Sequence, residues 1–283
     1  MFTILAPAKI NLTLEVLAER PDGYHEIRGV IQTIDLCDRL RFRLGNNIKL
    51  VCDNPGFVGE ESLVSRATVL LRQTTGCTKG ATIEISKHIP LSAGLGGDSS
   101  GAAATLRGLN KLWGLGLSPA ELASLALRLG SDVPFFLYSG TALVEGRGEK
   151  ITPLPPLPQR WVVLAIPDTP RLPEKTKRLY ARLKINHYTD GQITEKFIKA
   201  LKEGGELKPS MLFNTFENIA FDQFPGLKVY KEHFLKLGAP DVHLAGSGPA
   251  LFSLIKDKSE AEDLYTRCKK QGMECFLVET VRI

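Results

Sequence analysis

No apolar stretch of this sequence is long enough to cross a bilayer, which excludes a membrane-spanning helix. The five cysteines, Cys37, Cys52, Cys77, Cys268 and Cys275, are odd in number and scattered, and no two are spaced C-x-x-C. That pattern argues against a disulfide framework and against a structural zinc site, and a reducing cytoplasm is the expected setting. Met1 to Lys9 carries no basic segment backed by an apolar run, so no secretory leader is expected. Internal repeats are absent, and so is any dense basic patch interleaved with aromatics. Neither nucleic acid nor a membrane is therefore expected as a partner. What is present is an ordinary globular balance, 43% hydrophobic and 24% charged over 283 residues, enough for one large domain or two modest ones. The net charge of +5 is compatible with small anionic ligands such as phosphate esters.

Alternation and turn residues organise the first half of the chain. Thr3 to Leu5, Ile10 to Leu17, Ile27 to Leu36, Leu40 to Leu44 and Ala81 to Ile89 read as strands, with a turn at Arg20-Pro21-Asp22-Gly23. Ser62 to Gln73 and Ser99 to Leu112 have helical spacing, and Ser118-Pro119 opens another helix that Gly130 closes. The run Thr152 to Pro158, rich in proline, is the best domain boundary. Beyond it a strand is expected at Trp161 to Ile166. Helices follow near Pro173 to Leu183, Thr194 to Lys202 and Leu227 to Leu237, and the chain ends with a strand, turn, strand, helix and strand over 242–282. Strand-rich and then mixed segments predict an α+β fold, divided as 1–152 and 153–283.

The most distinctive segment is Pro90-Leu91-Ser92-Ala93-Gly94-Leu95-Gly96-Gly97-Asp98-Ser99-Ser100, between a strand and a helix rich in small residues. Glycines let several backbone N–H groups point inward, and the helix start adds its positive end, so the loop can receive phosphate oxygens. Ser99 and Ser100 can donate hydroxyl bonds or help to hold Mg²⁺. The segment is neither a Walker loop, since Asp98 follows Gly97, nor a dinucleotide fingerprint. A tight turn capped by serine is the plainer alternative. Gly97-Asp98-Ser99-Ser100-Gly101 also fits G-x-S-x-G, with Asp132 and His243 in the order a serine hydrolase uses. Against that, an elbow serine leaves a buried strand directly, whereas the run Leu91 to Gly97 intervenes after Pro90 here.

Three further sites bear chemistry. In Ala6-Pro7-Ala8-Lys9-Ile10-Asn11-Leu12, Lys9 and Asn11 share one face of a strand. A lysine inside an apolar run either guards a sheet edge or neutralises charge on a reacting group. Tyr24 and His25 follow a turn, where they can hold a base or simply pack on a hairpin tip. Asp132, in Gly130-Ser131-Asp132-Val133-Pro134-Phe135, is either a general base or a turn aspartate.

Together these segments resemble the GHMP kinases, a family named for galactokinase and for homoserine, mevalonate and phosphomevalonate kinases. Ala6 to Leu12 is similar to its first motif, Pro90 to Ser100 to its phosphate loop and Leu244-Ala245-Gly246-Ser247-Gly248-Pro249-Ala250-Leu251 to its third motif. Arg20 to His25 and Gly130 to Phe135 are similar to members acting on a cytidine diphosphate alcohol in non-mevalonate isoprenoid precursor synthesis. The resemblance implies a ribosomal-protein-S5-like N-terminal domain that binds ATP and a ferredoxin-like C-terminal domain on the substrate side, in a monomer or weak dimer. It implies ATP as co-substrate on Pro90 to Ser100, with Mg²⁺ near Ser100. Asp132 would deprotonate the acceptor hydroxyl and Lys9 would steady it. Tyr24, His25 and Tyr180 would take the cytosine, and Asn11, Gly246 and Ser247 the ribose or diphosphate. Tyr180 is equally readable as a core tyrosine of its helix. A kinase of the homoserine or mevalonate type and a serine hydrolase using Ser99 are the alternatives. Asp98 stands where the family usually has a third glycine, and Ser62 where relatives often have asparagine near the adenine.

Overall fold

Alternating side chains over the first residues build two long strands, β1 (Phe2–Glu19) and β2 (His25–Gly45), around the expected turn, where Gly23 N donates to Arg20 O at 3.0 Å. The computed structural model describes residues 1–170 and 174–281, so the expected helix start at Pro173 and strand end at Arg282 lie outside the described residues. Each long strand was expected as two shorter ones. The polar interruption in β2 at Asp38 does not end the strand, because its carboxylate is neutralised by Lys87 at 2.5 Å. The chain forms two compact units, one of Met1–Ala8, Leu36–Leu91 and Gly96–Ser139, the other of Lys9–Asp35, Ser92–Leu95 and Gly140–Ile283. β1 and β2 contribute residues to both.

In the first unit β3 (Ile48–Cys52) lies parallel to β4 (Gly80–Ser86), which pairs antiparallel with Arg39 to Gly45 of β2. The helices are α1 (Leu63–Thr75), α2 (Gly97–Trp113), α3 (Pro119–Leu129) and α4 (Phe135–Tyr138), and α1, α3 and α4 pack on α2. Small residues explain α2's central place. A Cβ at Gly108 would overlap the Phe42 ring, so glycine lets the helix close on β2. Ala102, Ala103 and Ala104 are buried beside it. Ser118 caps α3, as its sequence predicts, and Glu121 completes a full capping box.

In the second unit Ile27 to Gln32 of β2 pair antiparallel with β5 (Thr141–Gly146), and β5 with β6 (Lys150–Pro153). The proline-rich run continues along β5 as a docked segment. Leu154 N and Leu157 N donate to the carbonyl and hydroxyl of Thr141, and Leu157 is buried. The remaining elements are β7 (Trp161–Ala165), α5 (Lys175–Tyr180), α6 (Gln192–Lys202), β8 (Phe213–Asn214), α7 (Glu217–Gln223), α8 (Leu227–Lys236), β9 (His243–Leu244), β10 (Leu251–Ile255), α9 (Lys258–Lys270) and β11 (Cys275–Glu279). β8 runs parallel to β1, while β11, β7, β10 and β9 form, in that order, an antiparallel sheet that α9 covers. The core joins Val163, Phe216, Phe234, Leu251 and Leu264. The mixture of sheets and helices is the expected α+β class. Among the described residues, no helix is long and apolar enough to cross a membrane.

Candidate active site

Strand periodicity puts Lys9 and Asn11 on one face of β1, and the fold buries both to 5% exposure. Lys9 Nζ donates to Asn11 Oδ1 at 2.7 Å, and Lys9 N donates to Leu95 O at 2.9 Å. The second of these bonds ties the strand to the first half of the glycine loop. That half, Ser92 to Leu95, lies against the turn that carries the third motif, and Ala250 N donates to Ala93 O at 3.1 Å. Contact here is too close for any side chain. Gly94 has φ +87°, and a Cβ on it would overlap Ala245 O. A Cβ on Gly246, φ +56°, would stand 2.8 Å from Gly94 O and 2.9 Å from Lys9 Nζ. The two glycines are required because backbone meets backbone beside an ammonium. The structure thus brings Lys9, Asn11, Gly94 and Gly246 together.

Three residues that support this site were not anticipated. Asn214, buried in β8, donates from Nδ2 to Leu244 O at 2.9 Å and Gly246 O at 2.7 Å, and so fixes the turn. An amide within the apolar run Leu212 to Phe216 was the available signal. Lys175 Nζ donates to Ser92 O at 2.8 Å and to Gly248 O. Burial, aided by the like charge of Lys9, pushes its pKa down to about 8. Thr176 shares a hydrogen bond with Ser247 at 2.9 Å. Nothing in helical spacing marks Lys175 or Thr176.

The aromatic residues form a separate cluster in the same unit. His25 and Tyr180 stack directly, with centroids 4.7 Å apart, and Tyr180 also meets Phe216 edge-on. Burial pushes the His25 pKa down, against the raising effect of Glu19, which favours the neutral imidazole. Tyr24 is exposed and lies under the Arg147 guanidinium at 4.6 Å. The direct stack leaves no gap for a base between His25 and Tyr180.

In the first unit the second half of the loop starts α2. Gly96, at φ +74°, is its N-cap, and Gly97, Asp98 and Ser99 form its first turn. Ser100 is 1% exposed, and its Oγ has no hydrogen-bond partner among the described residues. An orphaned hydroxyl at a helix start is an unfilled contact for an anion or a cation. A narrow cleft beside it is lined by Phe57, Ser62, Leu63, Lys87, Asp98 and Gly101, among others. Ser62 Oγ caps α1 by accepting from Ser65 N at 3.1 Å and donates to Gly59 O at 2.7 Å. Asp38 also accepts from His88 N at 2.8 Å and Ile89 N at 2.9 Å, anchoring the chain just before Pro90 and Leu91. Asp132 is half-buried in the turn between α3 and α4, and the α4 cap position belongs to Pro134.

The strand-to-helix elbow of a serine hydrolase is not formed at Ser99. Ser99 lies within the first turn of α2, well past the end of β4 at Ser86, rather than on an elbow directly after a strand. His243 Nδ1 is 3.2 Å from Glu217 and Nε2 is 3.8 Å from Asp241, in the second unit.

Residues 62–140 match the GHMP kinases N terminal domain, and residues 196–273 match the GHMP kinases C terminal domain. A 4-diphosphocytidyl-2-C-methyl-D-erythritol kinase of Dehalococcoides mccartyi is 48% identical over 281 residues, covering 99% of each chain. The enzyme of that name from a Geobacillus species is 41% identical over 93% of this chain and 91% of its own. A crystal structure of 4-(cytidine 5'-diphospho)-2C-methyl-D-erythritol kinase superposes with a TM-score of 0.83 at 33% identity, covering 99% of both chains.

Proposed function

The chain belongs to the GHMP kinases, a phosphotransferase with an alcohol as acceptor, and from that premise we propose that it phosphorylates the 2-hydroxyl of 4-diphosphocytidyl-2-C-methyl-D-erythritol with ATP. The observation that carries this reading is the meeting of the Lys9 ammonium and the Asn11 amide with two contact glycines, Gly94 of the glycine loop and Gly246 of the third-motif turn.

Phosphoryl transfer asks little covalent chemistry of a protein. It asks for aligned reactants and positive charge where negative charge spreads. In this reading the acceptor oxygen attacks the γ-phosphorus, the bond to ADP breaks, and the hydroxyl proton passes to the Asp132 carboxylate. Lys9 stabilises the developing alkoxide and the transferring group. Pro90 to Ser100 wrap the triphosphate with backbone N–H groups and the helix start. Mg²⁺ fits the Ser100 hydroxyl, which has no hydrogen-bond partner among the described residues, and when bound it would neutralise phosphate charge. His25, Tyr180 and Tyr24 receive the cytosine against the stack rather than in a slot within it. Asn11, Gly246 and Ser247 meet the ribose or diphosphate. Residues 1–152 carry ATP and catalysis, and 153–283 the substrate side.

The test is incubation of the full chain with ATP, Mg²⁺ and the cytidine substrate, followed by phosphorus NMR. One ADP and one new monoester on the 2-oxygen per turnover are expected. Preference for homoserine or mevalonate in the same assay would reassign the chain within its family.

A further inference from the structure

Lys175 opens α5 and lies in none of the segments that carry the family resemblance. Its ammonium joins two parts of the second unit that meet at Gly94 and Gly246, through the carbonyls of Ser92 and Gly248. Its acceptors among the described residues are both neutral oxygens, and no carboxylate pairs with it. The charge acting on it is that of Lys9, which has the same sign. An ammonium has three donors, and the two carbonyls leave one for a ligand. A half-buried ammonium held only by neutral oxygens, with a like charge near it, is one that an anion would complete. The placement beside a glycine loop makes phosphoryl oxygen the fitting anion.

We propose that Lys175 is a second cationic ligand for phosphoryl oxygens at this site, acting beside Lys9. The proposal rests on the kinase reading above. The competing role is a staple that merely joins the loop to the turn.

Inorganic pyrophosphate, used as a competitive inhibitor of the full chain, separates the two roles. In Lys175→Met, which keeps length and loses charge, its Ki should rise about 10- to 100-fold, the value of one charge-assisted hydrogen bond. Lys175→Arg should bring Ki back to within about threefold of the wild type, because charge and donors return. An unchanged Ki in Lys175→Met, even with a lowered melting temperature, would leave only the staple and overturn the proposal. So would a rise in Ki that arginine fails to reverse. If Lys175→Met does not fold, Lys175→Arg and Lys175→Gln replace it: equal Ki values overturn the proposal, and a gap of about tenfold favouring arginine sustains it. If the wild type turns over no ATP, the kinase reading fails on its own, and calorimetric binding of pyrophosphate to the same variants still decides the role of Lys175.

Discussion

Lys87 is almost fully buried and Lys175 half-buried, and the protein holds them in opposite ways. Lys87, just past β4, meets Asp38 at 2.5 Å, with both side chains almost fully buried. Asp38 in turn accepts two backbone N–H groups, so this pair is complete without any ligand. Lys175 meets two carbonyl oxygens and feels Lys9, and its pKa falls to about 8. The difference teaches where to look for function. A buried charge with an opposite partner holds the fold, while a buried charge lacking one is held in readiness for something that binds.

The comparison breaks if charges on the two sides respond alike. Asp132 stands, in our reading, with the charges that meet substrate. Asp132→Asn should therefore lower kcat by about 10²- to 10⁴-fold with the melting temperature and the KM for ATP little changed, as ADP release would report. Near-normal turnover would remove Asp132 as the base. Lys87→Met should do the reverse. It leaves a carboxylate buried and unpaired, so stability should drop by about 3–5 kcal/mol in urea unfolding. Adding Asp38→Asn to that variant should recover much of the loss, and no recovery would show that packing rather than charge is at stake.

Smaller effects sharpen the contrast. Tyr180→Leu should raise the KM for the cytidine substrate about tenfold and leave the KM for ATP unchanged, since base stacking contributes ~1–3 kcal/mol. Equal changes for both substrates would assign Tyr180 to the core beside Phe216. The smallest effect is a pH slope. Lys175 titrates near 8 in the folded protein, below the ordinary 10.5, so between those values the unfolded chain holds more protons. Stability should accordingly rise with pH across that window, and the rise should be smaller in Lys175→Met. Identical slopes in the two proteins would contradict the depressed pKa.

Much of this was legible in the linear sequence. The strand at Lys9, the glycine segment, the Ser118 cap of α3 and the turn before Tyr24 are local: each depends on the period of a strand, the freedom of glycine or the reach of a serine side chain. The continuity of β2 through Asp38 was not legible, because the lysine that neutralises Asp38 is 49 residues away. The docking of the proline-rich run on Thr141 was hidden for a similar reason, since prolines read as a break wherever no partner strand is in view.

Local chemistry by itself determined the family, the α+β class and which side chains carry reactive groups, because those follow from residue type and short-range spacing. Tertiary structure decided which of those groups meet. It set Gly246 against Gly94 and Lys9, aimed Asn214 at the same turn, stacked His25 on Tyr180 and left Lys175 among neutral oxygens. Such pairings depend on long-range packing and on what burial does to a charge, and neither is written in neighbouring residues.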